Sequence, residues 1–340
     1  MKKTLYTIVA TLATVAQVSA YSKFGHLLVA RIAYEELLQT DRGRRVIAHV
    51  ESTLAKIPMK HESQYAFVAA APFADDLRSN GFRGKNIKTQ KNWHNDPTAY
   101  APTGNYYNYH KRSQTVKSAL YDLYDWLKNP YTLQSTSEGE LSVADFKSSF
   151  VFTNVMQLAD NDLHTARSIA LRLFIHYVGD IHQPLHAITK VGKYGTGNND
   201  LRGHKTYFEE KNKQHSLHVA WDKGLTLFKG SRFHVTLPFK AGTGDWDKLT
   251  SAYIEYSGVN PGSYSKSFDP YGWSKDSYNL GVNAYKDMHE GVSILQQQAY
   301  ISKYEPKIRE QIVRGGHRLA KALMDIYDEP TLAAEATLLN

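Results

Sequence analysis

The sequence predicts a mostly α-helical, single-domain protein. Apolar residues recur three and four positions apart along most of the chain, which is the helical period. No internal repeat, low-complexity block or linker divides it. With 42% apolar and 12% aromatic residues among 340, it can bury a substantial core and is not a disordered chain.

The first 20 residues read as a secretory signal: Lys2 and Lys3, an apolar middle "TLYTIVATLATVA", then "VSA" with small residues before the cut. Cleavage after Ala20 makes Tyr21 the mature first residue. The apolar run is too short to span a bilayer, so no stable membrane anchor is expected. "HLLVARIAYEELLQTDRGRRVIAHVESTLAKI" carries two helices with a break near Asp41–Gly43. "SQYAFVAAAPFADDLRS" carries another that Pro72 bends or restarts. Residues 91–109 are rich in Asn, Pro, Gly and Tyr and read as an ordered loop. "TVKSALYDLYDWLKN" is a helix, and "TARSIALRLFIHYVGDIH" is a long one, apolar over most of its circumference and therefore central. Residues 189–214 turn to Gly, Asn, Lys and charge, with "TYF" as a short strand. "HSLHVAWDKGL" starts a further helix, and 229–277 read as irregular. "GVNAYKDMHEGVSILQQQAY" and "YEPKIREQIVRGGHRLAKALMDIY" close the domain at 327, leaving 328–340 as a flexible tail.

The formal charge is +8, and loss of Lys2 and Lys3 would lower it to +6; this favours anionic partners such as nucleic acid. Cysteine is absent, so a disulfide framework is excluded and a secreted form must rely on its core, metal or assembly. No Asn-x-Ser/Thr sequon occurs. There are 15 histidines, which directs attention to paired ligand spacings.

The sharpest such stretch is "FIHYVGDIHQPLHAI". His176 and Asp180 are four apart and share one helical face, where an imidazole and a carboxylate can grip one cation such as zinc. Pro184 ends the helix, so His186 leaves in a new direction and is free to serve another metal. The spacing recurs at His218 and Asp222 in "HVAWD". A buried, unpaired carboxylate costs several kcal/mol, roughly, and metal is one way to hold several together. His26 in "YSKFGH", Asp75 in "FADDLR" and His94 in "WHNDP" are further candidates.

Taken together and in this order, "YSKFGH", "FADDLR", "WHNDP", "HYVGDIHQPLH", "GNND", "SLHVAWD" and the closing "GGHRLAKAL" resemble the S1/P1 nuclease family of secreted zinc nucleases. The resemblance spans most of the mature chain. It implies a helical bundle around a trinuclear zinc site, with three Zn2+ per chain. One zinc would take Asp75, His94, His176 and Asp180, and a second His186, His218 and Asp222. The third would take His26, Asp180 and the α-amine and carbonyl of Tyr21. An amine can bind only when terminal and deprotonated, so signal removal would complete that site. The resemblance also implies a catalytic trio of Arg78, Asp75 and Asp180. Zinc lowers the pKa of a bridging water, hydroxide attacks phosphorus in line, and Arg78 adds a guanidinium to the phosphoryl oxygens. His182 and Gln183 face away and support the ligands. Asn199 is a candidate for orienting substrate or for a plain turn.

The chain departs from the family pattern at several points. Tyr21 and Phe73 stand where tryptophans are usual, Ser216 replaces an Asn, and Asn198 a Gly. After His94 no aromatic occurs until Tyr100, so Tyr106 and Tyr107 are the candidates for stacking a single-stranded base. The expected activity is endonucleolytic hydrolysis of single-stranded DNA and RNA to 5′-phosphorylated products, with 3′-nucleotidase activity, by a secreted monomer. A zinc phospholipase C-like phosphodiesterase and a non-catalytic zinc- or nucleic-acid-binding secreted protein are the alternatives.

Overall fold

A computed structural model of the chain describes residues 21–87, 90–104, 109, 112–129, 149–192, 199–210, 213–239 and 243–329. The expected signal segment 1–20, Tyr106, Tyr107 and residues 330–340 of the expected tail lie outside them.

The molecule is built around α7 (Leu163–Ile181), in which every residue from Thr165 to Ile181 is buried. Asp162 starts the helix by accepting a hydrogen bond from the Thr165 N–H at 2.8 Å. Around it pack α1 (Lys23–Leu38), α2 (Asp41–Ala55), α4 (Phe73–Asn80), α5 (Val116–Lys128), α6 (Phe150–Leu158), α10 (Pro270–Asp287) and α11 (Gln298–Ile326). A helix covered on all sides reads as apolar all round, which is why α7 was legible as central. Its two buried arginines are tied down. Arg167 donates to the carbonyls of Trp126 and Leu127 at the C-terminal end of α5, both at 3.1 Å. Arg172 donates to both carboxylate oxygens of Glu62, at 2.9 and 2.6 Å, and to the carbonyls of Leu54 and Ile57. Removing one partner of such a buried pair costs about 3–5 kcal/mol, because the other charge is left uncompensated.

Several boundaries refine the sequence reading. The break between α1 and α2 falls at Gln39–Thr40, where Thr40 accepts from the Gly43 N–H at 3.0 Å. Pro72 restarts the chain, separating α3 (Ala66–Ala69) from α4. The loop after residue 90 contains β1 (Thr98–Tyr100), which pairs in parallel with β2 (Ile188–Lys190). The "TYF" strand is β3 (Tyr207–Glu210), antiparallel to β4 (Lys213–Ser216), and β4 leads into α8 (Leu217–Asp222).

The region 229–277 is not wholly irregular: it holds α9 (Asp245–Ser257) and the start of α10. The stripe of α9 is narrow, with Leu249, Ala252 and Tyr256 buried but Ile254 exposed, so its period is weak in sequence. The closing helices are also shifted. α10 starts at Pro270, capped by Asp269, and stops at Asp287, while α11 runs straight through Pro306. Burial of Tyr304, Ile308, Ile312 and Leu319 along α11, against α1 and its neighbours, overrides the local cost of that proline. No helix among the described residues is long and apolar enough to cross a membrane.

Candidate metal centre

Six segments deliver the polar side chains to one place. α1 brings His26, α4 brings Asp75 and Arg78, and the segment after the 3-10 turn Gln90–Asn92 brings His94. α7 brings His176 and Asp180, the 3-10 turn Pro184–His186 brings His186, and α8 brings His218 and Asp222. The His94–Asp96 segment and the Pro184–His186 turn hold each other in register. Asp96 N–H donates to the His186 carbonyl at 2.9 Å, and His186 Nδ1 lies 2.5 Å from the His94 carbonyl. Pairing of β1 with β2 continues that clamp.

Within the cluster the ligand-type atoms form three close groups: His26, His176 and Asp180; Asp75, His94 and His176; and His186, His218 and Asp222. Asp180 is the hub. Its Oδ2 lies 2.9 Å from His94 Nδ1 and 3.3 Å from His176 Nε2, and its Oδ1 lies 3.4 Å from His26 Nε2 and 3.9 Å from His186 Nδ1. Asp75 Oδ2 is 4.0 Å from His176 Nε2, and its Oδ1 is 3.1 Å from Arg78 Nη2. Asp76 is exposed and stays outside these groups. Asp222 lies 3.6 Å from His218 Nε2 and 4.0 Å from His186 Nε2.

Three of the five imidazoles share one design. One ring nitrogen is held by a scaffold carbonyl, His176 Nδ1 by that of Ala71, His186 Nδ1 by that of His94 and His218 Nδ1 by that of Arg202, and the other faces the cluster. His94 is reversed: its Nε2 accepts from the Gln90 amide, and its Nδ1 faces Asp180 at 2.9 Å. A ring N–H donated to a carbonyl fixes the tautomer and frees the opposite lone pair, as for a histidine that ligates metal. His26 differs, stacking on His176 at 3.8 Å with neither nitrogen hydrogen-bonded. It sits against Gly179, where a Cβ would come within 2.7 Å of Nδ1, so only glycine leaves room for this ring.

Electrostatics follow from burial. His26, His94, His186 and His218 are all held well below the ordinary imidazole pKa, chiefly by burial and then by neighbouring cationic groups. They are therefore neutral, the form that binds metal. Burial opposes charge on His176 too, but Asp180 and Asp75 outweigh it and raise its pKa. Burial raises both Asp180 and Asp222.

The fit to metal rests on buried atoms without a partner. His26 Nδ1 and Nε2, His176 Nε2, His186 Nε2, His218 Nε2 and Asp180 Oδ1 are buried with no hydrogen bond among the described residues. Groups this polar are ordinarily paired when buried, and their convergence on shared points is what a cation would repair. The nitrogen and carboxylate donors suit zinc.

The remaining expected residues sit as follows. Tyr21 is fully buried beside the cluster, its ring edge-on to His26 and its hydroxyl donating to the His182 carbonyl at 3.0 Å. The adjacent Ser22 N–H donates to the Asp222 carbonyl at 2.7 Å, tying this segment to α8. His182 is satisfied on both sides, by the Val178 carbonyl and by Arg318. Gln183 donates to Asp222 Oδ1 at 2.6 Å. Asn199 does not join the three groups: its Oδ1 accepts from the Leu201 N–H at 2.8 Å within its own turn. Beside it Asp200, fully buried, accepts from Lys190 N–H, Thr206 and Tyr285 and so anchors the loop. Gln90 is the supporting residue that sequence did not single out. Nothing in the spacing of "TQKNWH" distinguishes it from a surface glutamine.

Residues 21–328 match a family model described as S1/P1 Nuclease. Among curated proteins, the chain is 28% identical over 200 residues to Endonuclease 3 of Arabidopsis thaliana, covering 55% of this chain and 62% of that protein. It is 28% identical over 197 residues to Endonuclease 5 of the same plant, covering 54% and 61%. The chain thus spans less than two thirds of the length of these relatives.

Proposed function

The chain belongs to the S1/P1 nuclease family, and from that premise we propose that it is a secreted zinc-dependent endonuclease. Its substrates are single-stranded DNA and RNA, cut to 5′-phosphorylated products, and it also removes 3′-phosphates from nucleotides. The single observation that carries the metal-dependent reading is the convergence of unpaired, buried imidazole nitrogens on Asp180 and Asp222.

Three zinc ions would be held by the sets implied by position. Asp75, His94, His176 and Asp180 would hold one, and His186, His218 and Asp222 another. His26, Asp180 and, after signal removal, the terminal amine and carbonyl of Tyr21 would hold the third. When bound, zinc supplies Lewis-acid activation of water and neutralisation of phosphate charge. The chain's own residues do the rest. Gln183 and the carbonyls of Ala71, His94 and Arg202 keep Asp222 and the imidazoles from rotating. Arg78, half-buried and tethered to Asp75, presents a guanidinium to the phosphoryl oxygens, where charge grows in the transition state. Tyr106 and Tyr107 are the proposed base platform.

The test is metal analysis and N-terminal sequencing of the secreted protein, with assays on single-stranded DNA, RNA and phosphatidylcholine. The expected result is zinc near three equivalents, Tyr21 as first residue, and nucleic-acid cleavage. Lipid turnover without nucleic-acid turnover would overturn it.

A further inference from the structure

The loop that follows Asp200 contributes two side chains that no step above uses. Arg202 is linked to the His186–His218–Asp222 group through its own backbone, since its carbonyl accepts the His218 Nδ1 hydrogen bond at 2.7 Å. The chain reaches this position by an unusual path. Leu201, Arg202 and Gly203 are consecutive residues with positive φ, at 54°, 63° and 91°, and two of them are not glycine. Left-handed backbone at bulky residues is uncommon and persists where the surroundings over-determine it. Here the Thr189 hydroxyl accepts from the Arg202 N–H at 3.2 Å, and a Cβ at Gly203 would lie 3.2 Å from the His218 backbone nitrogen.

The result is two unpaired nitrogens at the edge of the cluster. Arg202 Nε is buried without a hydrogen-bond partner, and so is His204 Nε2. The His204 ring packs on that of His218 with centroids 3.9 Å apart. The Arg202 charge acts on His186, His204 and His218, and Arg78 acts on His186 and His204 from α4. The cation acting most on Arg202 itself is Arg112, which repels it. Asp222, the carboxylate that attracts it, is already engaged by Gln183. Several guanidinium groups gathered beside unpaired nitrogens make sense where an anion completes the set.

We propose that Arg202 and His204 form a phosphate-holding edge beside the His186–His218–Asp222 group, gripping a phosphate of the substrate. This rests on the nuclease reading and deepens it by adding two substrate-binding residues. Arg202 suits the task because its planar guanidinium offers two parallel donors to phosphate oxygens.

The test uses the zinc-loaded full chain and inorganic phosphate as probe, titrated by calorimetry, with Arg202→Asn, Arg202→Lys and His204→Phe. Asparagine tolerates the left-handed backbone, and phenylalanine keeps the ring packing on His218 while removing the donor. Zinc content and melting temperature are expected to stay at the parent level. Phosphate binding should weaken about tenfold in Arg202→Asn, with KM for single-stranded DNA rising in parallel and Arg202→Lys recovering part. His204→Phe should show a smaller loss of the same kind. Unchanged phosphate affinity in Arg202→Asn and His204→Phe overturns the proposal, as does zinc loss from Arg202→Asn, which would make it only a support for His218. If the parent holds no zinc and cleaves no nucleic acid, the nuclease reading falls instead. The phosphate titration of that same metal-free chain against Arg202→Asn then still decides whether this edge binds an anion.

Discussion

At Asp180 one fully buried carboxylate faces His26, His94, His176 and His186 from both oxygens. No other acid among the described residues touches so many imidazoles. On the zinc reading, Asp180→Asn removes a shared ligand rather than a terminal one. Activity is expected to fall by more than about a hundredfold, and more than one zinc equivalent to be lost by elemental analysis. Loss of activity with full zinc content would show that Asp180 acts some other way. A second residue-scale consequence lies far from the site. His49 on α2 packs against Tyr327 with ring centroids 4.7 Å apart, and burial, then Arg167, lower its pKa to about 4. The unfolded chain binds a proton at His49 near pH 6.5, whereas the folded chain resists until about 4. The stability this neutral histidine permits is therefore present above 6.5 and drains away as pH falls toward 4. His49→Gln should flatten that part of the stability–pH curve, measured by urea unfolding at a series of pH values.

At the scale of the element, α1 and α11 pack closely enough that glycine is required. A Cβ at Gly316 would lie 2.5 Å from Ile32 Cγ2 and 3.1 Å from the Val29 carbonyl. Gly316→Ala gains about 1 kcal/mol of helix propensity but must separate two buried faces, so a net loss of about 1–3 kcal/mol is expected in denaturant unfolding. Gly258 at the end of α9 has no neighbour within 4 Å and a negative φ, so Gly258→Ala serves as the control, within about 0.5 kcal/mol of the parent. Elements with a broad apolar face, such as α1, α5 and α7, were legible in sequence because 3.6 residues per turn repeats their pattern. α9 was not, because only three apolar residues, Leu249, Ala252 and Tyr256, are buried in a single line along it. The start of α10 was hidden for a different reason: Asp269-Pro270 is equally good as a turn or as a cap with proline at the first helical position.

For the whole molecule, the metal-ligand histidines and aspartates are drawn from six separate segments, so on the zinc reading the metals cross-link most of the fold. Chelation should lower the melting temperature by roughly 10 °C, read by scanning calorimetry with and without EDTA, because zinc binds the folded chain and not the unfolded one. An unchanged melting temperature would argue against a metal-braced core. Sequence by itself determined what is local. His176 and Asp180 share a face because they are four apart on a helix, Pro184 turns the chain toward His186, and the same four-residue spacing recurs at His218 and Asp222. Together with the resemblance, this was enough to list the ligand candidates. Only the tertiary structure decided what those residues meet. It brought His26 onto His176 across 150 positions through the gap at Gly179, and set Gln90 behind His94. It turned the Asn199 side chain into its own loop and carried Arg202 and His204 to the edge of the cluster. These contacts depend on burying apolar faces that are distant in the chain, and no spacing along one strand of sequence records which faces those will be.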